Sequence, residues 1–240
     1  MFLVTSHKES ADKLIEQLSK NNVDAVHFPI IELNKNNINI NSMIEKIGLD
    51  TIFCISPTSA LYARDILIRL DKNVVIAPGV GTASIIKEIN PKLNIKIPPV
   101  ESGINHVINN GILSNVKSLS VLGSCEINPK LVSFCKKFNI KVTNIPLYSY
   151  NLFYKNQIKL LGSILEKISA ITGIIVTSSK AADGINHLMK FDSFNTKFSD
   201  AVFITSHYQI ADKLSINKLD IKISEDPSLE QILNSVKKVV

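Results

Sequence analysis

The chain has 240 residues, 45% of them hydrophobic and 20% charged, with a net charge of +6. That content excludes a disordered chain, and the length suits one large domain or two small ones. No apolar run reaches the roughly 18 residues of a membrane span, and the opening MFLVTSHKES reads as a buried strand rather than a signal peptide.

Strands are predicted at Phe2–Val4, Asp24–Phe28, Thr51–Ile55, Val74–Ala77, Leu119–Leu122, Lys141–Ile145, Gly173–Val176 and Ala201–Ile204. Each is a short run, apolar on both faces, as in a covered parallel sheet. Helical spacing lies between them: Ala11, Leu14, Ile15 and Leu18 share one face, as do Leu131, Phe134, Cys135 and Phe138. Strand alternating with helix argues for an α/β, doubly wound architecture.

The chain repeats itself. VTSHKESADKL (4–14) and ITSHYQIADKL (204–214) share seven of eleven positions. FPIIELN (28–34) aligns with IPLYSYN (145–151), TIFCISPTSA (51–60) with GIIVTSSKAA (173–182), and NVVIAPGVGTAS (73–84) with AVFITSHYQIAD (201–212). NIKIPPVESGI (94–104) likewise aligns with DIKISEDPSLE (220–230). Two copies of one design follow, roughly 1–117 and 118–240. In each strand–turn–helix unit, the strand ends in small hydroxyl residues or glycine.

In open parallel sheets, ligands bind outside the carboxyl ends of the strands. Helix N-termini there present unpaired N–H groups and a positive dipole end, and small residues let an anion approach them. Two such domains facing each other would form a cleft for a large, multiply negative ligand. The net charge agrees with an anionic partner. Nucleic acid is not expected, because Arg64 and Arg69 are the only arginines and scattered lysine reads as solvated surface.

Gly79-Val80-Gly81-Thr82-Ala83-Ser84 follows a strand and opens a helix, but Ser84 stands where a dinucleotide fingerprint has its third glycine. A structural turn, a phosphate cradle and a carboxylate cradle stay open for it. Ile55-Ser56-Pro57-Thr58-Ser59 and Thr177-Ser178-Ser179-Lys180 follow strands in both copies. N-capping, at about 1 kcal/mol per residue, competes with ligand binding for these hydroxyls. His7 and His207 read as ligands or as solvated turn residues, and Asp12 and Asp212 as partners of the helix dipole. Cys54, Cys125 and Cys135 lack CxxC spacing, which leaves no disulfide framework and suits a cytoplasmic protein. No acidic, cysteine or histidine cluster has metal spacing, and no nucleophile elbow is present. Tyr148, in IPLYSYN, is either an amphipathic interface residue or a phenol able to donate a proton.

Taken in order and spacing, LVTSHKESADKL with FPIIELN, CISPTSA, PGVGTA, ESGI, IPLYSY, IVTSSKA and ITSHYQIADKL with DPSLEQIL resemble the uroporphyrinogen-III synthase family over essentially the whole length. The resemblance implies two flavodoxin-like domains joined by a two-stranded antiparallel linker. Residues 1–33 and 152–240 would form the first domain and 35–146 the second, with linkers at about 28–35 and 145–152. It implies a cofactor-free, metal-free reaction in haem biosynthesis. The linear tetrapyrrole hydroxymethylbilane is closed to uroporphyrinogen III with loss of water and inversion of ring D. Tyr148 would assist departure of the hydroxyl. Ser56, Thr58, Ser59, Gly79, Thr82, Ser102, Gly103, Ser178, Ser179, Ser206 and His207 would line sites for the acetate and propionate groups. A monomer is expected, with no membrane partner and a transient contact with the enzyme that supplies hydroxymethylbilane.

The chain departs from the family where many members carry arginine. It has Thr5-Ser6-His7 in the first turn, and Leu122-Gly123-Ser124-Cys125 then Asn128 after the strand at 119–122. Lysine does not replace the fixed fork of arginine on a carboxylate. The alternative reading is a non-catalytic two-domain binding protein for a polyanionic small molecule.

Overall fold

The computed structural model describes residues 1–99, 103–152, 156–214, 220–225 and 228–239. The strands are β1 (Phe2–Val4), β2 (Ala25–His27), β3 (Ile31–Lys35), β4 (Thr51–Cys54), β5 (Val74–Ile76), β6 (Asn94–Lys96), β7 (Ser118–Ser124), β8 (Lys141–Leu152), β9 (Gly173–Val176), β10 (Val202–Thr205) and β11 (Asp220–Ile223). The helices are α1 (Lys8–Lys20), α2 (Ile40–Ile47), α3 (Pro57–Tyr62), α4 (Arg64–Leu67), α5 (Val80–Ile89), α6 (Ile104–Asn109), α7 (Pro129–Lys137), α8 (Asn156–Glu166), α9 (Ser179–Leu188), α10 (Asp192–Phe198), α11 (Tyr208–Leu214) and α12 (Leu229–Lys237).

All eight predicted strands are present, with ends shifted by at most two residues except in β8, which runs past the predicted end at Ile145 to Leu152. The apolar-run criterion misses β3, β6 and β11. Each lies at a sheet edge and carries polar residues, such as Glu32, Asn94, Lys96, Asp220 and Lys222. An edge strand is covered on one side only, so it needs no continuous apolar run.

The chain divides into two compact units, one of residues 1–33 and 150–240 and the other of 34–149. The first unit holds a five-stranded sheet in the order β11-β10-β9-β1-β2. Its pairings are parallel. Numbered along the unit, that is the 2-1-3-4-5 order of a flavodoxin-like doubly wound sheet. The second sheet has the order β3-β8-β7-β4-β5-β6, and the pairings from β8 to β6 are parallel.

Strands that align in the sequence repeat take the same place in the two sheets. β1 and β2 correspond to β7 and β8, and β9, β10 and β11 correspond to β4, β5 and β6. The units are not the sequence halves. Each combines the first two strands of one copy with the last three of the other.

Both faces of the first sheet are covered, which is why its strands are apolar throughout. Phe2, Val4, Ile175 and Ile204 meet Ala11, Leu14 and Leu18 of α1 and Ile232 and Val236 of α12. Leu3, Ile174, Val176 and Phe203 face the opposite way, toward Ile185 and Leu188 of α9, Phe194 and Phe198 of α10, and Ile210 of α11. Removing each such side chain from water is worth roughly 1.5–3 kcal/mol. In the second unit Phe53, Ile76, Leu119 and Val121 pack on Leu131 and Cys135 of α7. Phe138, predicted to share that helix face, is instead the C-cap of α7 and 55% exposed, stacked 4.5 Å from Phe134.

Gly173 starts the central strand opposite Phe2. A Cβ there would lie 2.5 Å from Phe2 Cε1 and 2.9 Å from the Val202 carbonyl oxygen. Gly173→Ala is expected to lower the unfolding free energy by about 1–3 kcal/mol through overpacking. Chemical denaturation of the two proteins at one pH checks this.

Candidate functional site

In a 2-1-3-4-5 sheet the strand order reverses between the first and third strands, and the carboxyl ends there open a crevice. In the first unit the reversal lies between β1 and β9, in the second between β7 and β4. The hydroxyl-rich turns of the sequence stand at these ends.

In the first unit β1 runs into Thr5-Ser6-His7, β9 into Thr177-Ser178-Ser179 and β10 into Thr205-Ser206-His207. The two TSH turns of the opening repeat therefore flank one central strand. Ser178 is the N-cap of α9, its Oγ accepting from Ala181 N at 3.1 Å. Ser178 and Ser179 are half-buried, Ser206 is buried, and His207 stands half-buried at the start of α11. Helices α9 and α11 pack together, tied by Lys213 Nζ on Asp183 at 2.8 Å and by Asn186 Nδ2 donating to the Lys213 carbonyl at 2.8 Å. The shared ADKL thus puts Ala211 and Leu214 into the core and leaves Lys213 to tie the helices.

Two threonines that sequence reasoning did not single out lie beneath these turns. Thr5 and Thr205 are fully buried. Thr5 Oγ1 donates to the Ile175 carbonyl at 2.8 Å, whereas Thr205 Oγ1 has no hydrogen-bond partner among the described residues. Their signal in the sequence was the repeated TSH triplet itself. His7 caps α1 without a side-chain cap bond, and its Nε2 lies 2.9 Å from Ser10 Oγ. His27, from β2, bonds the Ser6 carbonyl at 2.9 Å. Burial depresses the pKa of both His7 and His207 below the ordinary 6.5; for His7 the neighbouring His27 adds to this and Glu9 opposes it.

In the second unit Ser56 follows β4 as the N-cap of α3, at the repeat position of Ser178, and accepts from Ser59 N at 3.1 Å. Ser59 is fully buried and Thr58 half-buried. Gly79 caps α5 and is half-buried, and Thr82 is buried in that helix's first turn. Gly103 donates its N–H to the Pro78 carbonyl at 2.7 Å, which sets it beside the Gly79 turn. Ser102 lies outside the described residues.

Tyr148 is brought to Ser59 by β8. The register slips at Gly123/Ser124, so that Gly123 faces Pro146 and Ser124 faces Tyr148. The bulge lets the consecutive residues Leu147 and Tyr148 both bury. Tyr148 is 0% exposed, its Oη is 3.3 Å from Ser59 Oγ, and its ring meets Tyr62 edge-on at 5.6 Å. The phenol, open in the sequence to an interface role or a proton-donating one, is covered.

Among the described residues no cluster of three His, Cys, Asp or Glu side chains is placed to hold a metal, and no helix is long and apolar enough to cross a membrane. Burial pushes the Cys54 thiol up to about 12, that of an inert core side chain. The arrangement supplies hydroxyls and helix starts, the chemistry of anion binding.

No family model and no curated protein matches the sequence. The fold does match structures of uroporphyrinogen III synthases. Against a selenomethionine mutant of the enzyme from Thermus thermophilus the TM-score is 0.65 at 11% identity, over 100% of this chain and 98% of that one. The Helicobacter pylori synthetase gives 0.61 at 15% identity, over 91% and 93%. The wild-type Thermus thermophilus enzyme gives 0.53 at 12%, over 100% and 97%. At these identities the likeness establishes the two-domain α/β fold.

The depressed pKa values of His7 and His207 set a pH dependence. The unfolded chain takes up protons as pH falls through 6.5, while the folded chain resists until lower pH. Stability present above 6.5 is therefore lost as pH falls toward the folded values. The double variant His7→Gln/His207→Gln is expected to lose less Tm between about pH 8 and about pH 5 than the wild type. Thermal melts at the two pH values check this.

Proposed function

We propose that this protein is a uroporphyrinogen-III synthase, a cyclising hydro-lyase of haem biosynthesis that converts hydroxymethylbilane to uroporphyrinogen III. The observation that carries the reading is the full-length likeness to synthase structures, 100% of this chain against 98% of the Thermus thermophilus enzyme. The strand-end turns add chemical support. The substrate carries an acetate and a propionate on every pyrrole, and each unit of this chain ends its strands in hydroxyls and helix starts.

The roles follow. The half-buried Thr58, Gly79, Gly103, Ser178, Ser179 and His207 receive carboxylates at their turns, with the more buried Ser206 beside them, and the half-buried Ser56 faces the ligand from the cap of α3. Ser59 and Thr82, both buried, shape those turns from behind. Tyr148 is the proton source for the departing hydroxyl. The protein's main contribution is to hold the linear tetrapyrrole in one folded geometry, since the free substrate closes unaided to the symmetric isomer. No cofactor takes part. The protein acts as a cytoplasmic monomer, its two units joined by a two-stranded antiparallel linker, and meets the enzyme that supplies its substrate only transiently.

The arginines missing from Thr5-Ser6-His7 and from the turn after β7 favour a second reading, a binding protein for a polyanionic small molecule without catalysis. A coupled assay separates the two. Hydroxymethylbilane is generated in situ with the protein present, and the oxidised products are separated by chromatography. A dominant type III porphyrin is expected, and Tyr148→Phe is expected to lower kcat about 100-fold. Type I alone from folded protein overturns the enzymatic reading, and tight tetrapyrrole binding without type III product supports the other.

A further inference from the structure

We infer that Tyr148 reaches the ligand through two serines, Ser59 and Ser56, rather than directly. The inference rests on the synthase reading and concerns how its proton is delivered.

Tyr148 and Ser59 are each 0% exposed, while Ser56 is half-buried at the mouth of its turn. The three hydroxyls form a line, with 3.3 Å from Tyr148 Oη to Ser59 Oγ and 2.9 Å from Ser59 Oγ to Ser56 Oγ. The proposal gives the line a direction: the phenol, the stronger acid, donates to Ser59, and Ser59 passes its own proton toward Ser56. Ser56 Oγ also accepts the Ser59 N–H at 3.1 Å. Both of its lone pairs are then occupied, and its own O–H points to a further acceptor. The edge-on Tyr62 ring, 5.6 Å away, fixes the phenol, and Cys54 Sγ, 3.9 Å from the Ser56 carbonyl oxygen, supports the turn. Ser56 and Ser178 are equivalent caps, but Ala181 stands where Ser59 would be in the other unit, so only the second unit carries the relay.

The chemistry balances. The C–O bond of the hydroxymethyl group breaks as the pyrrole nitrogen pushes electrons toward the carbon. The oxygen leaves as water with the proton of Ser56. Ser56 is refilled from Ser59, and Ser59 from Tyr148, which becomes phenolate. The proton shed by the cyclised pyrrole returns along the same line, so one water is released and no proton is consumed. Ser56 is the catalytic residue that touches the leaving group, and Ser59 is a positioning residue for Tyr148.

The test measures type III formation by the wild type, Tyr148→Phe, Ser59→Ala, the double variant Ser59→Ala/Tyr148→Phe, and Ser56→Asn. Asparagine keeps an N-cap but has no hydroxyl proton to pass. Each single variant is expected to lose kcat about 100-fold with KM changed less than about twofold, and the double variant to lose no more than Tyr148→Phe. Rates of the wild type in mixtures of H2O and D2O are expected to curve, as several protons move together, and to become linear in Ser56→Asn. The mixed-solvent test on the wild type stands even if a variant fails to fold. Loss in Tyr148→Phe with wild-type kcat in Ser56→Asn and Ser59→Ala means direct action by the phenol and overturns the relay. A drop in Tm alone, with kcat unchanged in all variants, makes the serines structural and also overturns it. Type I product alone from the wild type removes the synthase reading, and the relay falls with it.

Discussion

Residues 2–4 form a strand whose neighbour, β9, lies some 170 residues away along the chain. Closing so long a loop carries an entropic cost of about 4–5 kcal/mol on the logarithmic law of chain closure. Phe2, Leu3 and Val4 are all but fully buried by the pairing, and at roughly 1.5–3 kcal/mol for each side chain their burial outweighs that cost. Without this pairing β9 would lack a neighbour on one side, and the first and second TSH turns would not share a sheet. Gly173 exists to let it happen, since the Phe2 ring occupies the space where a Cβ would project.

The same pairing explains how a chain of two similar halves becomes two units that are not those halves. Each sheet takes its first two strands from one copy and its last three from the other. The two units reach the same 2-1-3-4-5 arrangement, yet the second is a circular permutation of the first. The chain crosses from one unit to the other within β3 and again within β8. Near the crossing at β8, the bulge at Gly123/Ser124 turns Tyr148 inward to Ser59.

The candidate site substitutes neutral donors for fixed charge. Hydroxyls and helix starts replace the arginine forks that a carboxylate site could use, and each is individually weaker. On the proposed function, a ligand with many carboxylates would make that workable, since many weak contacts distributed over several turns would hold it. Burial also decides the protonation of the site. Desolvation keeps His7 and His207 neutral to lower pH than free imidazole, so at neutral pH they act as hydrogen-bonding groups rather than as cations.

Eight strands, the amphipathic helix at Lys8–Lys20 and the hydroxyl-bearing turns were legible in the sequence, because buried parallel strands are apolar on both faces and helix starts select capping residues. The edge strands β6 and β11 were not, since much of their surface meets water and their polar residues hide the pattern, and β3 was reached only through the family resemblance, within the linker strand at about 28–35. Nor could periodicity reveal that Thr5 finds an acceptor in Ile175 while Thr205 finds none among the described residues. The sequence by itself determined the α/β class, the internal repeat and the chemistry of the turns, all of which follow from local patterns. Only the tertiary structure decided that Tyr148 is covered and bonded to Ser59, 89 residues away along the chain. That pairing depends on a bulge between neighbouring strands, and register across a sheet is a property of two segments together, written in neither alone.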